Sequence, residues 1–91
     1  VGGSTARSLA QVLADLARTH QVIVVTHLAQ VAVQGSVHYV VRRDDAADIP
    51  ETSLIRVEAA DRIAEIALLS GDATEESLAH AKQLLAEAGR L

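Results

Sequence analysis

A chain of 91 residues supports one small domain, and its twelve acidic against eight basic residues give a formal net charge of −4, without the basic stripe by which nucleic-acid binders neutralise phosphates. One tyrosine and no Phe, Trp, Met or Cys leave a thin core of Val, Ile, Leu and Ala and exclude disulfides and thiolate metal sites. No apolar run is long enough to span a membrane and no basic-then-apolar leader opens the chain, so the cytoplasm is the default location. The start at Val1 in a chain without methionine points to a processed or alternative start, or to a piece of something longer.

Ala6, Leu9, Ala10, Leu13, Leu16 and Ala17 recur at spacings of three and four, which predicts a helix over 4–20 with Ser4 or Thr5 as its cap. Gly2 and Gly3 lie just before it, in a loop feeding a helix amino terminus, where unpaired N–H groups favour anions. Val22 to Val25 are four consecutive β-branched residues without alternation, which predicts a central, parallel strand covered on both faces. That strand ends in Thr26 and His27, placing an imidazole at a strand's carboxyl end, where open α/β sheets bind ligands.

Residues 28–34 read as a short helix or turn, broken by Gly35 and Ser36 before a strand over 37–42. A loop with the only proline, Pro50, and four acidic residues leads to a second strand over 53–58, so the pair reads as a hairpin. Two helices follow, over 60–69 with Ser70 and Gly71 as a stop, and over 74–88 with Thr74 as its cap. Glu75, Glu76 and Arg90 suit the dipole of the last helix, whose buried face is Leu78, Ala81, Leu84, Leu85 and Ala88. The fold class is α/β, one unit over 1–91, with a gap: a strand buried on both faces needs paired edges and cover that this chain supplies only in part.

His27 reads either as a hydrogen-bond donor to a phosphate or polariser of a water, or as a histidine satisfied by neighbouring backbone. His20, His38 and His80 lack zinc-ligand spacing and read as structural or surface groups. Ser4, His27 and Asp61 do not make a triad without a G-x-S-x-G elbow. The VGG start lacks the P-loop pattern and its lysine. The LLSGD segment, 68–72, is a helix stop and not the signature of ABC ATPases. Asp44, Asp45, Asp48 and Glu51 lack EF-hand spacing and read as a solvated loop.

In order along the chain, VGG before a helix, QVIVVTHLAQVA, DRIAEIALLSGD and ESLAHAKQLL resemble the carboxyl-terminal end of the RecN family of bacterial DNA-repair proteins, SMC relatives with an ABC-type ATPase head. The resemblance covers nearly the whole chain. It implies the carboxyl-terminal lobe of a P-loop NTPase head, with a partial sheet, a hairpin and flanking helices, acting in recombinational repair of double-strand breaks. It makes His27 the switch histidine that contacts the γ-phosphate, with Thr26 beside it on the nucleotide side. It makes Gly2 and Gly3 the tail of a D-loop at the interface of two heads.

ATP with Mg²⁺ is the implied cofactor, held by the complete head. The implied partners are the upstream half of the head, a second head in a homodimer, and DNA through the parent protein only. Ala29 stands where a proline is expected, and the Walker A lysine, Q-loop, signature and Walker B carboxylates are absent from the chain, so alone it is expected not to hydrolyse ATP. Two other readings remain open: a non-enzymatic α/β interaction module or truncated remnant, and a hydrolase built on His27, which has no nucleophile or base partner.

Overall fold

A computed structural model describes residues 3–91. Its elements in chain order are α1 (Gly3–Leu16), α2 (Ala29–Ala32), β1 (His38–Asp44), β2 (Glu51–Val57), α3 (Ala59–Leu69) and α4 (Glu75–Glu87). The mixed α/β class, the hairpin and the two terminal helices match expectation. Helix α1 starts at Gly3, so Ser4 and Thr5 lie inside its first turn and do not cap it, and Gly3 belongs to the helix and not to a loop before it. Gly2 lies outside the described residues. After Leu16 the chain tightens into a turn, with the His20 N–H on the Leu16 carbonyl at 3.0 Å, so the helix is shorter than 4–20.

The core lies where α3 packs on α4 with the end of α2 tucked between them. Val33, Ile66, Ala67, Ala81 and Leu85 are buried together, with Ala29, Ala32, Ile63, Leu78, Leu84 and Ala88 packed around them. The face expected for α4 is thus the one that it buries. The helix begins at Thr74, whose Oγ1 accepts from the Ser77 N–H at 3.2 Å, satisfying one donor of the first turn. It closes with Gly89 at φ 72°, Gly89 N–H on the Ala86 carbonyl at 3.0 Å and Arg90 N–H on the Leu85 carbonyl at 2.8 Å. These paired bonds satisfy the last carbonyls and need a left-handed residue, which glycine adopts without steric cost.

β1 and β2 form a two-stranded antiparallel hairpin with His38 opposite Val57 and Asp44 opposite Glu51. Residues two apart share a face, so His38, Val40 and Val57 turn inward, while Tyr39, Val41 and Leu54 face solvent. An isolated hairpin is marginal in water. This one is tied down at its base by buried Val57 and by an Arg42–Glu65 ion pair to α3.

The strand expected at 22–25 is corrected by the structure. Residues 21–26 run extended but pair with no strand among the described residues. Ile23 is 86% exposed and Val25 97%. Nothing described lies alongside to take their backbone bonds or cover their side chains, so the parallel sheet that this segment suits is not formed. Leaving two such side chains in water forgoes about 1.5–3 kcal/mol each relative to burial. Helix α1 shares the deficit: Ala6 and Ala10 are buried against the rest, but Leu9, Val12 and Leu16 are exposed.

One charged side chain sits inside. Arg62, on the inner stripe of α3, is 7% exposed. Its Nη2 donates to the Ala32 carbonyl at 3.1 Å, which also accepts from the Gly35 N–H at 3.2 Å, and to the Gly35 carbonyl at 2.7 Å, joining α3 to the turn where short α2 ends. Arg90 does the same for the Gln34 carbonyl through Nε at 3.2 Å and Nη2 at 2.9 Å. Gly35 makes room for this turn, since a Cβ there would stand 3.1 Å from the Val37 carbonyl oxygen. His38 opens β1 three residues on, and burial, then the charge of Arg62, hold its pKa below the usual 6.5, opposed by Glu65.

Two outcomes follow from this packing. Ile66→Ala or Leu85→Ala should lower unfolding free energy in urea titrations by about 2–5 kcal/mol, whereas Val25→Ala should change it by less than about 0.5 kcal/mol. The depressed pKa of His38 means that the unfolded chain binds the proton more readily, so stability should fall as pH drops below the ordinary value of 6.5. Comparing urea midpoints at about pH 7.5 and about pH 5.5 should show that loss, and His38→Gln should reduce it.

Candidate functional site

The extended segment 21–26 delivers Thr26 and His27 to the start of α2. Thr26 Oγ1 accepts from the Leu28 N–H at 3.0 Å, a local turn that bends the chain out of its extended run. The hydroxyl expected to face a nucleotide is therefore engaged with its own backbone. His27 is exposed at the bend, and its ring makes no hydrogen bond to any described residue. It is not a histidine satisfied by neighbouring backbone, so its ring nitrogens remain available to a group from outside the chain. Gly3 is exposed in the first turn of α1, and a Cβ there would meet nothing within 4 Å.

The structure does not gather these residues into a pocket. One shallow cleft, of about 150 Å³, lies between α1, α2 and α4 and is lined by Arg7, Gln11, Gln30, Val33 and Leu84. A second, of about 180 Å³, lies at the base of the hairpin around His38, Arg56, Arg62 and Arg90. Neither includes Gly3, Thr26 or His27. Gly2 lies outside the described residues.

The donor set around His27 does not fit a nucleoside triphosphate with its magnesium ion. Phosphate sites of that kind combine a lysine, backbone N–H groups and carboxylates for the metal. Here one exposed imidazole stands on a bend, and among the described residues no group of three His, Asp or Glu side chains could hold a metal ion. The acidic loop is locally occupied: Asp44 Oδ1 accepts from the Ala46 N–H at 3.0 Å and Asp45 Oδ1 from Arg43 Nε at 2.6 Å. His20 Nδ1 pairs with Thr19 Oγ1 at 2.8 Å, and His80 is exposed on α4.

The residue that composition and motif did not single out is Arg62. Its signal was present: it stands four before Ile66 on the same stripe, and a cation on a helix's apolar stripe must find acceptors inside. Among the described residues no helix is long and apolar enough to cross a membrane.

No family model matches the chain. Individual relatives do. DNA repair protein RecN from Deinococcus radiodurans is 44% identical over 89 residues, covering 94% of this chain and 15% of that protein. The protein of the same name from Mycobacterium leprae is 48% identical over 90 residues, covering 93% and 14%. That from Treponema pallidum is 37% identical over 92 residues, covering 99% and 16%. The chain thus spans only 14 to 16% of the length of these relatives. Along that span, matched from nearly one end to the other in proteins of three bacteria, the chain belongs to the RecN family.

Proposed function

We propose that this chain is the carboxyl-terminal lobe of a RecN-type ATPase head acting in recombinational repair of DNA double-strand breaks, and that His27 is its switch histidine. The observation that carries this reading is the bare segment 21–26. Four β-branched residues lie extended with Ile23 and Val25 almost wholly in water, and they end at an exposed imidazole. Such a segment suits the middle of a parallel sheet, where strands from other parts of a larger protein lie on both edges. The relatives are roughly seven times longer than the chain, which supplies the polypeptide from which those strands would come.

In this reading the nucleotide and its magnesium ion are held by residues outside the chain, and His27 contributes one imidazole toward them. Strand pairing fixes where that ring stands, and positioning is most of what catalysis of phosphoryl transfer asks of a protein. Thr26 sets the bend that presents it. Gly2 and Gly3 would face a second head in a homodimer. DNA is engaged through the parent protein, whose setting is the cytoplasm and nucleoid. The chain's own charge of −4 gives no electrostatic reason for direct contact with DNA.

Reconstitution tests the proposal. The chain alone should neither bind ATP tightly in calorimetry nor turn it over. Mixed with a separately made upstream half of a RecN head, it should restore ATP turnover, and His27→Ala should reduce that turnover by about 10²-fold without loss of association. Absence of association would favour a non-enzymatic interaction module, and turnover indifferent to His27→Ala would remove its assigned role.

A further inference from the structure

The hairpin is held to the helices by little. Its two strands pair along their whole length, but neither packs extensively on a helix, and of β2 only Val57 is buried. Tyr39, Val41, Leu54 and Ile55 all stand open to water. The other attachments are the Arg42–Glu65 ion pair, whose arginine is half in solvent, and half-buried His38. An ion pair of that kind adds little, and a two-stranded hairpin without apolar cover is marginal.

The base of the hairpin carries three penalties that an open position relieves. Among the described residues, His38 Nδ1 and Arg62 Nε are the two buried side-chain nitrogens without a partner. Both are closed off from water, so each forgoes a hydrogen bond that hydration would restore. They belong to different bodies: Arg62 is fixed to α3 and to the turn after α2, whereas His38 opens β1. The third penalty lies where β2 gives way to α3. Ala59 is the one non-glycine residue with positive φ among the described residues, at 49°, a left-handed conformation that its Cβ disfavours.

Charge at the base acts in the same direction. Arg62 on α3, Arg56 on β2 and Arg90 after α4 stand around the cleft that His38 lines. The carboxylates nearby are already engaged, Glu58 with Arg56 and Glu65 with Arg42. Burial, then the charge of Arg62, hold the pKa of docked His38 below 6.5 against the pull of Glu65. A hairpin swung into water returns the imidazole to its ordinary value, so docking is favoured above that pH and weakened below it.

We propose that residues 38–57 form a hinged flap that swings off α3 as a unit, turning at 35–37 and 58–59, with protonation of His38 favouring the open form. Opening hydrates His38 Nδ1 and Arg62 Nε and lets Ala59 relax, while the cluster around Ile66 and Leu85 stays closed. The flap does not involve His27 and does not depend on the ATPase reading.

The test is amide hydrogen exchange of the 91-residue chain followed by NMR, with each rate expressed as protection relative to an unstructured peptide at the same pH. The cross-strand amides of His38–Asp44 and Glu51–Val57 should share one protection factor, about 10²-fold or more below those of Ile66 and Leu85. That shared value should fall between about pH 7.5 and about pH 5.5, and His38→Gln should remove most of the fall. Ala59→Gly, which accepts the left-handed backbone, should raise it by about threefold. Hairpin amides as protected as those of Ile66 and Leu85, protection graded from the loop inward, a pH response that survives His38→Gln, or no gain from Ala59→Gly would overturn the proposal.

Discussion

An extended run of β-branched residues has two requirements at once: partners for its backbone N–H and C=O groups on either edge, and apolar cover for side chains that leave the strand on both faces. Residues 21–26 meet neither within the described chain. The rest of the architecture reflects that shortfall. Helix α1, which leads into the run, buries only its alanines and leaves Leu9, Val12 and Leu16 in contact with water. The imidazole that follows stands exposed on a bend, without a hydrogen bond to a described residue. A sheet that accepted this segment would cover those side chains and fix His27 at its edge.

The other half of the molecule is self-sufficient. From Ala29 onward, α2, α3 and α4 enclose a small cluster around Ile66 and Leu85, and two arginines bind the turn after α2 to the terminal helices. The hairpin is attached to this body by Val57, by the ion pair of Arg42 with Glu65 and by the half-buried His38. The main core cluster therefore lies within residues 29–90, and the part assigned to chemistry lies in the segment that this cluster does not reach. Such a division suits a lobe whose active residues are placed by a neighbouring polypeptide.

Much of the fold was legible because its signals are local. Thr74 with Ser77 marks a cap, Ser70 with Gly71 marks a stop, and the spacing of Leu78, Ala81 and Leu85 marks a buried face. The hairpin was legible from two β-branched runs flanking a loop with Pro50 and several acids. The strand at 22–25 was misplaced for a physical reason: its pattern describes a sheet environment, and pattern carries no information on whether the neighbouring strands are present in the same chain. Arg62 escaped notice because charge on a helix reads as surface. Its burial is explained only by the carbonyls at Ala32 and Gly35, some thirty residues away in sequence. The placement of His27 at the end of the apolar run was visible from the start, whereas its solitude was visible only in three dimensions.

Amide hydrogen exchange across Val22–Val25 tests most directly whether this segment is a sheet strand separated from its partners. In the 91-residue chain these amides should exchange at nearly unprotected rates while those of Ile66 and Leu85 remain slow. On assembly with the upstream half of a RecN head they should become protected by several orders of magnitude. Protection of Val22–Val25 in the isolated chain, or continued fast exchange after assembly, would contradict the account.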